Sequence, residues 1–154
     1  MAFVVSAAHQ TAVEQAVEDA YRLMVIDARL ALLTTPATPP TIEFYANPIP
    51  DPWDSGLPDP APASVVTMTL NPAVGTVDEA LFQIQITAPI EVQVTGADPS
   101  TGTAVTWAAI YDGDGVLWGY GTVSNEAGSG DFKLQTTTLL QGSFARLTSL
   151  TVQG

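Results

Sequence analysis

Between Thr103 and Val123 the sequence TAVTWAAIYDGDGVLWGYGTV sets two runs of β-branched and aromatic residues on either side of Asp112-Gly113-Asp114-Gly115. Asp-Gly steps suit the positive φ angles of a tight hairpin, and the flanking runs have strand character. Val105, Trp107, Ala109 and Tyr111 alternate with Ala104, Thr106, Ala108 and Ile110 before the turn. After it, Val116, Trp118 and Tyr120 alternate with Leu117, Gly119 and Gly121. Successive strand side chains point to opposite faces, so one aromatic set is expected to face a core. Two tryptophans and two tyrosines in one stretch can bury more apolar area than any other segment here. The hairpin is therefore expected at the centre of a β-sheet domain.

What surrounds the hairpin changes character twice along the chain. Residues from about Ala7 to Leu33 have helical periodicity, with Ser6 or Thr11 as a cap and Thr34-Thr35-Pro36 as the stop. Val13, Val17, Ala20, Tyr21, Met24, Ala28, Ala31 and Leu32 share one face, with Glu14, Glu18, Arg22 and Arg29 beside it. Leu23, Ile26, Leu30 and Leu33 fall off that stripe, so more than one face is apolar. Two readings stay open: a helix packed on its own sheet, or one that meets a neighbouring subunit. Nine of the 12 prolines lie between Pro36 and Pro62, around one short strand candidate, Thr41–Tyr45. Asn47 to Pro62 cannot form a regular element, because proline removes ladder donors and fixes φ, so it reads as an extended arm. Trp53 is its only large aromatic residue.

From Ser64 onward short strands and turns alternate: 65–70, 81–86, 90–94, the central hairpin, 132–135 and 143–152, with a polar loop at 124–130. Six to eight strands with regular turn signals predict a mainly β fold, an antiparallel β-sandwich of jelly-roll or immunoglobulin-like type. Parallel βαβ units are not expected, since no helix lies between strands. The expected organisation is an N-terminal helix (1–35), a proline-rich arm with one short strand (36–63) and the sandwich (64–154).

Charge and composition narrow the partners. Sixteen acidic residues against four basic ones give a formal net charge of −12 over 154 residues. That balance argues against nucleic acid and against anionic membrane surfaces, both of which call for clustered Lys and Arg. Without cysteine there is no disulfide, thiolate nucleophile or cysteine-based zinc site. The first basic residue is Arg22 and charges recur from Glu14, so neither a signal peptide nor a membrane span is expected, and production in the cytoplasm is.

Catalytic constellations are hard to assemble from these residues. The single histidine, His9, stands before the helix, far in sequence from the serine-rich loops that a triad would need. Asp112-Gly113-Asp114-Gly115 begins like a calcium loop, but Val116, Leu117 and Val123 stand where the loop needs an oxygen ligand, a glycine and a glutamate. The acidic residues concentrate in turns and the arm, and no helix follows Gly119 and Gly121 to make a phosphate loop. Tyr111, Trp118 and Tyr120 offer either core aromatics or a sugar-stacking platform. No catalysis, cofactor or metal is expected.

The order of these segments resembles that of small tailed-bacteriophage structural proteins. Trp107-Ala108-Ala109-Ile110-Tyr111-Asp112-Gly113-Asp114-Gly115 followed by Gly119-Tyr120-Gly121-Thr122-Val123 matches a hairpin signature of that kind. So do 130–134, 139–142, the closing Leu147–Val152, and upstream Ala28-Arg29-Leu30 leading to Ile42-Glu43-Phe44-Tyr45. The proline-rich insertion and the longer helix depart from it. The resemblance implies a non-enzymatic virion component assembled in the bacterial cytoplasm, such as a capsid decoration (cement) protein. Its expected partners are copies of itself and the major capsid protein or other virion proteins. Expected contact residues are Tyr21, Met24 and Leu32 on the helix, and Trp53 and Leu57 in the arm with Asp51, Asp54 and Asp59 at its rim. A tail or baseplate protein, a carbohydrate-binding module on a tail fibre and a small hydrolase are the rival readings.

Overall fold

The computed structural model describes residues 6–49, 63–70 and 73–153. Trp53 and Leu57, with Asp51, Asp54 and Asp59, lie outside the described residues. A helix, α1 (Ala7–Thr34), precedes every strand. The Ser6 side chain caps it by accepting from the His9 backbone N–H at 3.3 Å, and the Thr35 N–H closes it on the Ala31 carbonyl. Among the described residues no helix is long and apolar enough to cross a membrane.

The strands are β1 (Thr41–Tyr45), β2 (Val66–Thr69), β3 (Gly75–Asp78), β4 (Gln83–Ile86), β5 (Ile90–Gln93) and β6 (Thr103–Ala104). They continue with β7 (Trp107–Tyr111), β8 (Leu117–Asn125), β9 (Phe132–Leu134), β10 (Thr138–Leu139) and β11 (Phe144–Gln153). Nine of them join one curled sheet in the order β2-β1-β7-β8-β9-β11-β4-β3, with β5 also paired to β11; β6 and β10 make a separate small ladder. The hairpin β7–β8 sits inside this path. β1, which the sequence sets within the proline-rich segment, lies between β2 and β7 and is covered on both sides.

β11 is the longest strand and the one that bends the sheet. Along one edge, its first half pairs with β5 and its last residues pair with β4. β4 and β5 thus act as one strand broken at Pro89, which has no N–H to donate. The curl brings β5 round to β2, the first strand of the path, because the Gly96 N–H, just past β5, donates to the Val65 carbonyl at 2.9 Å, just before β2. Inside the curl lies the main core, with Ile42, Phe44, Met68, Ile110, Leu134 and Leu147 almost fully buried. Phe44 and Phe132 meet edge to face at 6.0 Å.

The expected purely antiparallel sheet is corrected. β8 and β9 run parallel over Val123–Asn125 and Phe132–Leu134. Parallel neighbours ordinarily need a crossover of a dozen residues. Here only three residue pairs overlap, so the six-residue loop 126–131 has little distance to retrace. The Ser124 hydroxyl staples that loop: it accepts from the Gly130 N–H at 3.0 Å and from Lys133 Nζ at 3.1 Å, and donates to the Asn125 carbonyl at 2.9 Å. Gly130 is needed there, since a Cβ would press on the backbone of Val123 and Ser124.

The hairpin turn forms where the sequence predicts it, by a mechanism only half anticipated. The Asp112 side chain accepts from the N–H groups of Asp114 and Val116 at 3.0 and 2.9 Å, and Gly115 takes φ +79°. Gly113 serves another purpose, for a Cβ on it would collide with the Thr38 carbonyl. Leu81 and Phe82, expected at the start of a strand, instead belong to the turn before β4, where Phe82 has φ +51°.

Candidate functional site

α1 has two apolar faces, and the fold uses the one that the sequence pattern ranks second. Ile26 (1% exposed) and Leu33 (0%) are buried in the main core, and Leu30 packs against it. Two contacts fix the helix further. The Trp118 indole N–H donates to the Arg29 carbonyl at 2.9 Å, and the Arg22 guanidinium sits 4.2 Å above the Phe82 ring. The left-handed backbone at Phe82 aims that ring at the helix, which accounts for a strained conformation in a bulky residue.

The stripe that dominates the sequence pattern points the other way. Val13 is 50% exposed, Val17 64%, Tyr21 62%, Met24 61% and Leu32 66%, and Ala20, Ala28 and Ala31 are exposed among them. At 100° per residue this stripe is on the far side of the helix from Ile26 and Leu33. Moreover, every residue from Ala7 to Glu18 is exposed, so about 18 Å of helix stands clear of the sheet. Isolated helices of that length are marginal in water, and an apolar stripe gives them nothing unless something covers it. Beside the docked half, a groove of about 630 Å³ is lined by Leu32 and Arg29 of α1, Leu117 and Trp118 of β8 and Val152 of β11.

A second aromatic cluster lies on the opposite face of the sheet from the main core. Trp107 and Ala109 of β7 pack there with Tyr45 of β1, with Tyr111, Leu117 and Tyr120 around them. Tyr45 stacks on Trp107 at 4.3 Å and 21°, and Tyr120 meets Trp107 edge-on at 6.3 Å. The aromatic set of β7 therefore faces away from the main core, to which the strand contributes Ala108 and Ile110 instead. Trp118 leaves its expected partners too. Ile110 pairs with Gly119 and Tyr111 with Leu117, so Trp118 is the extra residue of a β-bulge. The bulge turns its ring to the main core and α1, and so separates Trp118 from Tyr111 and Tyr120.

The hydroxyl of Tyr45 donates to the Glu43 carboxylate and lies 3.3 Å from the Tyr111 hydroxyl. Burial, reinforced by the bond to Glu43, pushes the Tyr45 phenol far above its ordinary value of 10.0; burial also raises Tyr111. Their neutral forms are favoured in the fold, so the stability this confers is fully present below about pH 10 and is lost as the pH rises further. Difference titration of wild type against Tyr45→Phe is expected to show no phenolate from Tyr45 until the protein unfolds. A Tyr45 phenolate forming at its ordinary value in the folded protein would contradict the packing described.

The remaining candidates carry no constellation. His9, expected before the helix, is instead exposed within the first turn of α1, where its backbone N–H serves the Ser6 cap. One Asp112 oxygen is engaged in the hairpin turn, and Asp131 holds the Thr122 N–H and hydroxyl at 2.9 and 3.1 Å. Among the described residues no three His, Cys, Asp or Glu side chains gather as metal ligands would. No protein-family model, curated protein or solved structure matches this chain.

Proposed function

We propose that this chain is a non-enzymatic structural protein of a bacteriophage particle, a capsid decoration protein that binds the outer head surface as a homo-oligomer. The observation that carries the self-association is the outward stripe of α1, with Tyr21, Met24 and Leu32 each more than 60% exposed on a helix whose opposite face is already buried. The virion assignment is supported by the order of segments around the Asp-Gly hairpin. In this reading the curled sheet serves as a sandwich-type body, and the helix is the part that meets other copies. A strongly acidic chain is also suited to remaining soluble before assembly and to repelling packaged DNA. A tail or baseplate position would use the same contacts. A sugar platform gains less support, since Trp118 packs on a different face from Tyr111 and Tyr120.

Light scattering on the purified chain is expected to give a multiple of the monomer mass. The double substitution Tyr21→Glu/Met24→Glu should give a folded monomer, because charges on an exposed face leave the core intact but cannot be desolvated in an interface. The same variant should lose co-sedimentation with phage heads. A wild-type chain that is monomeric at high micromolar concentration would end the self-association reading. An oligomer that sediments with neither heads nor tails would end the virion assignment alone.

A further inference from the structure

We infer that the outward face of α1 pairs antiparallel with the same face of a second copy of this chain, about a two-fold axis level with Arg22 and Leu23. This pairing presupposes the self-association proposed above and adds its direction and its contacts.

Two independent patterns on the helix select that axis. The first is apolar. A two-fold axis between positions 22 and 23 sets residue i of one copy level with residue 45 − i of the other. Val13 then meets Leu32, Val17 meets Ala28 and Tyr21 meets Met24, so the five large exposed apolar residues of the stripe all find apolar partners. Small residues at 20, 28 and 31 let the two backbones approach. The second pattern is charge. Glu14, Glu18 and Arg29 are exposed along one edge of the stripe, the acids in the free half of the helix and the arginine in the docked half. In an antiparallel pair like edges face each other, so Arg29 falls level with residue 16 of the partner, between its Glu14 and Glu18. A parallel pair sets that edge against the other, where Asp27 and His9 lie and no Lys or Arg does. The chain has four basic residues in all, and an acidic protein that self-associates has reason to place one there.

The arrangement also gives the free half of α1 a place to lie. The unsupported turns from Ala7 to Glu18 run along the partner's docked half, next to the groove between Leu32 and Trp118. That groove extends the contact beyond two helices toward the roughly 800 Å² per partner that stable interfaces bury. Both copies keep their sheets on the outer sides of the pair, because Ile26 and Leu33 point away from the stripe.

The chain lacks cysteine, so introduced ones report cleanly. With the two-fold at this level, Val13→Cys and Leu32→Cys are expected to form a disulfide-linked dimer under mild oxidation when mixed. Neither should crosslink alone, because like positions are about 28 Å apart along the axis and a disulfide needs Cα atoms within about 7 Å. Arg29→Glu is expected to weaken association at least about tenfold at low salt, symmetry counting the reversal twice. Adding Glu14→Arg and Glu18→Arg to it should restore association. The bond from Trp118 uses the Arg29 carbonyl, so these changes leave the docking of α1 in place. Crosslinking of Val13→Cys with itself would overturn the antiparallel direction while leaving self-association standing. A dimer mass without any crosslink would show that another face is used. A monomer throughout would remove the self-association reading itself.

Discussion

Trp107→Ala is expected to destabilise the fold by about 3–5 kcal/mol, the range for truncating a large buried aromatic. The ring is 1% exposed, stacked on Tyr45 and met edge-on by Tyr120, so its removal leaves a cavity walled by rings attached to the two neighbouring strands. Rigid rings on paired strands cannot collapse into that space without moving the ladder, which places the cost toward the upper part of the range. The indole N–H of Trp107 is buried with no hydrogen-bond partner, and a buried donor left unpaired costs on the order of 1–3 kcal/mol. Both variants remove that donor, but Trp107→Phe keeps an aromatic ring against Tyr45 and Tyr120, so a much smaller loss than for alanine is expected. Chemical denaturation of the three proteins measures both differences. A loss below about 1 kcal/mol for the alanine variant would mean the ring is not enclosed. Equal losses for Phe and Ala would mean that the ring phenylalanine keeps regains none of the packing.

The second large effect is expected on α1, where two residues only two positions apart should behave oppositely. Ile26→Ala should cost about 2–5 kcal/mol, since the side chain is 1% exposed and lies in the main core under the helix. Met24→Ala should change stability by no more than about 0.5 kcal/mol at a concentration where the chain is monomeric, since Met24 is 61% exposed. At higher concentration the order of importance changes. Met24→Ala then weakens association, while Ile26→Ala loosens the helix from its own sheet and disturbs the contact indirectly. Thermal melts at two concentrations separate the two cases. If Met24→Ala proves costly in the monomer, the helix packs by its other face and the proposed interface is lost.

Local patterns along the chain carried a large part of this architecture. Alternation and turn chemistry located β1, β2, β5, β9 and β11 nearly to the residue, because a strand with one buried face must alternate and Asp-Gly or Pro steps must interrupt it, whereas the run expected from Thr103 to Tyr111 divides into β6 and β7. Ser6 and Thr34-Thr35-Pro36 marked the helix ends for the same local reasons. The absence of cysteine excluded disulfides and thiolate chemistry without reference to any fold.

Tertiary structure decided what periodicity leaves degenerate. A helix with apolar residues at both 13-17-21-24 and 26-30-33 offers two faces, and only the position of the sheet chose the second for burial. A strand alternates in the same way whichever face meets the main core, and β7 turned its tryptophan to the smaller cluster while alanine and isoleucine filled the larger. The bulge at Trp118 arises from pairing with β7, so no pattern within β8 announces it. Likewise, the parallel step from β8 to β9 depends on Ser124, Gly130 and Lys133 meeting across a loop, which hydrophobic spacing cannot encode. What the residues settled alone was where elements begin, end and alternate, since those follow from bonds between near neighbours. What only the fold settled was which face of each element is inside, because that depends on partners tens of residues away.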